Sequence, residues 1–526
     1  MHEFIAKYND QISGVLSGFD RMVFRGTLRR IAYPFGLQGY LWANQVLLKD
    51  FGAHAREVSE TVKAGALEVM EAAGRPVQYL TSSRTDKEQV ARGIAAENHI
   101  EEGPVCALTC VEPCYGYDVY RNRETRQLDL VQRSRKCLFV YQYWLDPTLG
   151  WMNARIQTWF PFSIQICLNG REWLARRMDK EGIRYQKRDN CFVWVQDWRR
   201  AQLLLDEQLR ADWPALLNQA AHRLNPHHQE LFAKLPVDYY WSAYQTEWAT
   251  DVTFHRQQDL RRLFPLWLRH AILTFQSPDV LRFFGKRLTN AGEVPATVQA
   301  ELTTSLKRRQ PGTRVKHWYG SNSLKAYDKA YSEVGSTFRA EVTMQDPGPF
   351  KVYRRPEGAP DKPQRWCRLR QGVADLHRRA DICQNINGRY YDAFAKVDTD
   401  TTLDELIAAI QRPLMQQEKR YRALQPFGAP DVQLLEAICR GEFLIQGLRN
   451  RDLQGLLYAQ PASGKQEHRQ RSAAVSRRLR LLRAHGLLRK VSTTHRYHVT
   501  ARGREILSAI LAARKTTLKH LNTQAA

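Results

Sequence analysis

The sequence predicts an α+β chain of several domains, with antiparallel sheets, helices packed on them, and a small C-terminal module of helices with a two-stranded hairpin. Three observations predict it. Residues 1–225 alternate helix-spaced and strand-spaced stretches. Three strand patterns follow one another between residues 314 and 344. The Pro- and Gly-bearing segment "LQPFGAPD" at 424–431 sets off a last stretch of about a hundred residues. The expected domains are therefore 1–225, 226–424 and 425–526, consistent with roughly 100 to 200 residues per domain.

In the first domain, "REVSETVKAGALEVMEAAG" and "TDKEQVARGIAAENHI" carry helical spacing, and "RPVQYLT", "PVCALTCV", "KCLFVYQYWL" and "ARIQTWFPFSIQICL" read as strands. From 137 to 195 the order is strand, strand, helix, strand, strand, an antiparallel sheet with helices on one face. The aromatics Tyr141, Tyr143, Trp144, Trp159 and Phe160 are expected to pack inside, with base stacking as the alternative. The passage "HRLNPHHQELFAKLPVDYYWSAYQTEWATDVTF" reads as a connection into the second domain. Its Asp238, Glu247 and Asp251 read as solvated loop charges, with a divalent cation as the alternative.

Composition narrows the partners. The 526 residues carry a formal charge of +25, from 79 Lys and Arg against 54 Asp and Glu. Such an excess attracts polyanions, nucleic acid first among them. Hydrophobic content of 43% and aromatic content of 10% fit a folded protein. Nine cysteines lack paired Cys-x-x-Cys spacing and are expected to be structural thiols in a reducing compartment. Neither a secretory leader nor an apolar run long enough to span a bilayer is read from the sequence. A cytoplasmic protein without membrane contact is expected.

In the C-terminal module, "DVQLLEAICRGEF" and "NRDLQGLLY" read as short helices ahead of "RSAAVSRRLRLLRAHGLLRKVSTTHRYHVTARGREILSAILAA". Val475, Leu479 and Leu482 share one helical face, while Arg477 and Arg480 point the other way. A Gly-terminated helix, two strands around Thr493 and Thr494, and a further helix follow. This order is the winged helix-turn-helix plan. Between 465 and 504 about a dozen Lys and Arg face a single Glu, the footprint of phosphate neutralisation. Arg471, Arg477, Arg478, Arg480, Arg483, Arg489, Lys490 and Arg496 are the expected DNA contacts, the helix in a major groove and the hairpin on phosphate or minor groove. The pieces "SRRLRLLRAHGLL" and "YHVTARGRE" resemble winged-helix repressors of the MarR-like kind. That resemblance implies double-stranded DNA as partner and allows a homodimer.

The second domain holds "RVKHWYG", "SLKAYDKA" and "TFRAEVTM", a three-stranded meander turning at Gly320-Ser321-Asn322. With period two, Lys325, Tyr327 and Lys329 share a face, as do Arg339 and Glu341, while Phe338, Ala340 and Val342 form an apolar face. A phenol needs help to attack phosphorus at neutral pH. Here Lys325, Lys329 and Arg339 would lower its pKa and stabilise developing charge, with Glu341 as metal ligand or general base. The pieces "YGSNSLKAYDK" and "FRAEV" resemble the core of the replication initiation factor family, the rolling-circle initiators of plasmids and filamentous phages. The resemblance implies Tyr327 as the nucleophile, Glu341 as the acidic ligand, and Mg²⁺ or Mn²⁺ as the cofactor. Asp20, in "SGFDRMVFRGTL", reads as a turn residue, with an upstream acid on a first strand as the alternative.

Two further readings stay open. One is a non-enzymatic winged-helix transcriptional regulator. The other is an RNA-binding protein that uses the sheet aromatics for unpaired bases.

Overall fold

The computed structural model describes residues 1–124, 126–286, 298–305, 312–331, 335–359, 361–397, 402–416, 418–429, 431–440, 443, 447–458, 460–491 and 494–517. It is a multidomain mixed α/β protein built on one large mixed sheet. In chain order the strands that concern the site are β1 (Ile12–Leu28), β2 (Val77–Tyr79), β3 (Gly103–Arg121), β4 (Leu128–Asp146), β5 (Gly150–Gln157), β6 (Ile164–Asn169), β7 (Tyr185–Arg188), β8 (Cys191–Val195), β9 (Tyr239–Phe254), β10 (Val298–Ser305), β11 (Gly312–Tyr319), β12 (Asn322–Tyr331) and β13 (Ser336–Met344).

Eleven of them form the sheet, in the order β10-β11-β12-β13-β9-β1-β6-β5-β4-β3-β2. Each neighbouring pair is antiparallel except β2 with β3. β1 lies between β6 and β9, so the sheet runs on across the expected domain edge at residue 225. The passage read there as a connection contains β9, a 16-residue central strand. Its second half, residues 248–254, is buried on both faces, and a bulge against β1 shifts the period at Tyr244, so little of its length shows the alternation that marks a half-buried strand.

One face of the sheet is apolar. Phe338, Ala340 and Val342 of β13 are buried on it, in the alternation expected for that strand. Helices His2–Tyr8, Gln257–Thr274 and Leu376–Ala395 bring Phe4, Trp267, Tyr391 and Phe394 against Phe338. Helices Phe51–Ala72 and Trp213–Leu224 continue the same core, and Gln142 of β4 donates to the carbonyls of Ala66 and Leu224. The ring contacts add about 0.5–1.5 kcal/mol each beyond area burial.

The other face is covered at two places. Helices Gly170–Lys180 and Trp198–Asp206 and the β7–β8 hairpin pack on Leu16 through Leu174, Phe192 and Leu205. Helix Lys87–Glu97 packs on Leu108, Cys110, Tyr143 and Trp151. Cys106, Cys110 and Cys114 are buried on this face.

The C-terminal residues have a second core. Helices Asp431–Ile438, Asn450–Leu457, Lys465–Ala484 and Ala501–Lys515 surround a three-stranded sheet in which Arg496–Val499 lies between Leu448–Arg449 and Leu488–Lys490. Val475, Leu479 and Leu482 are buried, while Arg477, Arg480 and Arg483 are exposed. This core also takes Ile407, Ile410 and Leu424, from ahead of the expected start at 425. Thr493 lies outside the described residues. Among the described residues no helix is long and apolar enough to cross a membrane.

Candidate active site

The site is built by register. Tyr327 on β12 pairs with Arg339 on β13, and Lys325 pairs with Glu341. Arg339 pairs in turn with Asp251 on β9, and Glu341 with Ala249. Period two then puts Tyr327, Lys325, Arg339, Glu341, Glu247 and Asp251 on one face. β1 contributes through a bulge. Phe19 pairs with Trp248 and Met22 with Thr246, which leaves Asp20 and Arg21 together opposite Glu247. The extra residue re-aims the strand and turns the Asp20 carboxylate onto the polar face.

Asp20, Glu247 and Glu341 each offer an oxygen, and the three oxygens lie within 4.8 Å of one another. The Tyr327 hydroxyl donates to Glu341 Oε2 at 2.9 Å. Lys325 Nζ sits 2.6 Å from Glu341 Oε1. Arg339 is fully buried and forks onto Asp251, with Nε to Oδ1 at 2.5 Å and Nη2 to Oδ2 at 2.8 Å, while Nη1 donates to Asp20 Oδ2 at 2.8 Å. Arg171 comes from the first turn of its helix to Asp251 at 3.0 Å and to the Ala249 carbonyl. Asn169, the cap of that helix, donates to Asp20 Oδ1 at 3.2 Å. Asn190, on the turn of the β7–β8 hairpin, donates to Asp20 Oδ2. Lys329 reaches that turn through Asp189 Oδ2 at 2.9 Å.

The electrostatics follow. Burial raises the pKa of Glu341, but Lys325 and Arg339 outweigh it and leave the carboxyl below its ordinary range. Burial, reinforced by Glu341 and opposed by Lys325, raises Glu247 to about 7. For Tyr327, burial first and then Glu341 push the phenol well above its ordinary value, against Arg339. The expected lowering of that phenol by neighbouring cations is therefore reversed. The physical reason is first the burial of the ring and then the Glu341 charge; the cations offset little of this because each already holds a carboxylate: Lys325 holds Glu341, Lys329 holds Asp189, and Arg339 holds Asp251 and Asp20. Tyr327 is 4% exposed, with the Arg314 guanidinium 4.9 Å from its ring centre.

Four of the five expected site residues, Tyr327, Lys325, Arg339 and Glu341, thus meet, while Lys329 sits at a break in the β12–β13 register and reaches Asp189 on the hairpin turn instead; the structure adds Asp20, Glu247, Asp251, Arg171 and Asn190. Asp20 is a strand residue, where a turn was the first reading. Glu247 and Asp251 are strand residues, where loop charges were the first reading, while Asp238 is exposed and outside the cluster. The spacing of four between Glu247 and Asp251 was the available signal, since it keeps both on one strand face. As a donor set, three carboxylates at this spacing suit a hard divalent cation such as Mg²⁺ or Mn²⁺. Loading requires Lys325 to give up its contact with Glu341. Among the described residues this is the group of acids, histidines and cysteines with such spacing.

Of the expected DNA contacts, Arg477, Arg480, Arg483, Arg489 and Lys490 are exposed, and Arg478 and Arg496 are partly exposed. Arg471 is tied down by Glu467, by the Gln460 carbonyl and by the Tyr458 ring, 4.7 Å from its guanidinium. No protein-family model, curated protein or solved structure matches the chain.

Proposed function

We propose that the chain is a DNA-nicking protein in which Asp20, Glu247 and Glu341 hold a divalent cation beside Tyr327, and the C-terminal module grips duplex DNA. The observation that carries the reading is the meeting of three carboxylates from three strands, one of which, Glu341, accepts the hydroxyl of Tyr327. A cation there supplies charge neutralisation for the phosphate oxygens. Tyr327 passes its proton to Glu341 as its oxygen bonds to phosphorus; the P–O bond to one deoxyribose oxygen breaks, that oxygen takes the proton on and leaves as a hydroxyl, and a phosphotyrosine remains. Arg339 holds Asp20 in place as a positioning residue. Lys325 and Lys329 leave their carboxylates to meet the phosphate as it arrives, and the β7–β8 hairpin lifts to admit it, since Asp189 and Asn190 lie on its turn.

The C-terminal module is read as a winged helix. Its order supports this: helix, short strand, helix, long helix, then two strands, with the first strand paired to the last. The helix Lys465–Ala484 presents Arg477, Arg480 and Arg483 to solvent, and the hairpin adds Arg489, Lys490 and Arg496.

The test is a covalent adduct. Supercoiled plasmid and single-stranded circles are incubated with the protein and Mn²⁺, then resolved under denaturing conditions. Nicked DNA carrying protein, abolished by Tyr327→Phe with duplex binding retained, is the expected result. An adduct undiminished in Tyr327→Phe rejects the assignment. A second reading, a non-enzymatic regulator whose core is braced by a buried ion network, draws on the 4% exposure of Tyr327 and the pairing of its cations. Specific duplex binding without any adduct would select it.

A further inference from the structure

A cavity of about 760 Å³ lies where the helix Ala501–Lys515 meets the main core, and it shares no lining residue with the acidic cluster. Its size is that of small-molecule sites. Six lysine and arginine side chains line it against four carboxylates. One of those carboxylates, Asp392, is already taken by the ammonium of Met1.

Two arginines in it lack their full complement of charge. Arg389 places both Nε and Nη2 on the Phe283 carbonyl, at 2.9 and 2.7 Å, and meets no carboxylate among the described residues. Arg504 shares the single carboxylate of Asp279 with Arg282, both at 3.3 Å, and its Nε is buried without a hydrogen-bond partner. Burial accordingly lowers the pKa of both guanidiniums. A buried cation held by a carbonyl or by half a carboxylate costs free energy that an anion would recover. Asp279 and Phe283 lie on the same short helix, so the two arginines approach it about 6 Å apart along its axis. Phe275 and Phe283 supply an apolar wall.

We propose that this cavity binds a nucleotide-sized polyphosphate, with its phosphates between Arg389 and Arg504 and its base against Phe275 and Phe283. Arg502 and Arg504 belong to the C-terminal module and Arg389 to the main core, so the ligand would fasten the two together.

The experiment is calorimetric titration of the full chain with ATP, pyrophosphate and adenosine. Saturable ATP binding, competed by pyrophosphate and not by adenosine, is expected. Arg389→Gln and Arg504→Gln should each weaken ATP binding by about tenfold or more. Arg502→Gln, an exposed rim position, should weaken it less and decides the matter should Arg389→Gln fail to fold. Absence of ATP binding, or unchanged affinity in the Arg504 and Arg502 variants, overturns the proposal.

Discussion

Replacing Arg339 by Met removes the one side chain that, among the described residues, touches both Asp251 and Asp20. The guanidinium makes two bonds to Asp251, one to Asp20 and one to the Asn190 carbonyl, all with its own exposure at zero. Asp251 keeps Arg171 at 3.0 Å. Asp20 keeps Asn169 and Asn190 but, among the described residues, no other cation in contact. Removing one partner of a buried pair leaves the other charge uncompensated, at a cost of about 3–5 kcal/mol, against a total stability of about 5–15 kcal/mol. Arg339→Lys keeps the charge but not the fork, so it should lose less. The assay is urea unfolding followed by tryptophan fluorescence. All thirteen tryptophans precede residue 367, so the signal reports the main core without the C-terminal module. A midpoint for Arg339→Met within about 1 kcal/mol of wild type would refute the reasoning, because only a solvent-screened pair is that weak.

Three further outcomes follow from the same geometry. Glu247 is raised to about 7 from an ordinary 4.5, so the metal-free protein should lose stability as pH rises from about 4.5 through 7. Glu247→Gln should therefore be more stable than wild type by about 1–3 kcal/mol near pH 8 and no different near pH 4, as read by thermal melting across pH. Arg477 and Arg480 are exposed on the helix Lys465–Ala484, so replacing both by Ala should weaken duplex binding and reduce the salt slope by about 2 in fluorescence anisotropy titrations. Tyr327→Phe removes one buried hydrogen bond to a charged acceptor and should cost about 1.5–3 kcal/mol in the same urea assay while leaving the fold intact.

The sequence makes the strands around Tyr327 legible because their alternation is clean. Phe338, Ala340 and Val342 face one way and Arg339 and Glu341 the other. The arginine-bearing helix was legible for a similar reason, its apolar residues recurring at three and four. β9 was not. The Tyr and Trp residues of its first half look like those of a connection, a bulge against β1 shifts the period at Tyr244, and the alternation that resumes from Glu247 is short and buried on both faces. Asp20 was read first as a turn residue and only second as an acid on a strand, because its direction depends on a bulge, and a bulge is a property of two strands rather than of one. The protonation of Tyr327 was misjudged because a strand pattern shows neither the burial of the ring nor the prior engagement of the cations with Glu341, Asp189 and Asp251.

The most direct measurement is Mn²⁺ binding followed by electron paramagnetic resonance, on wild type and on Glu341→Gln. The account predicts one bound ion in wild type, gained more readily as pH rises past about 7 where Glu247 ionises, and lost in the variant. Equal Mn²⁺ uptake by both proteins, or none by wild type at any pH, would contradict it.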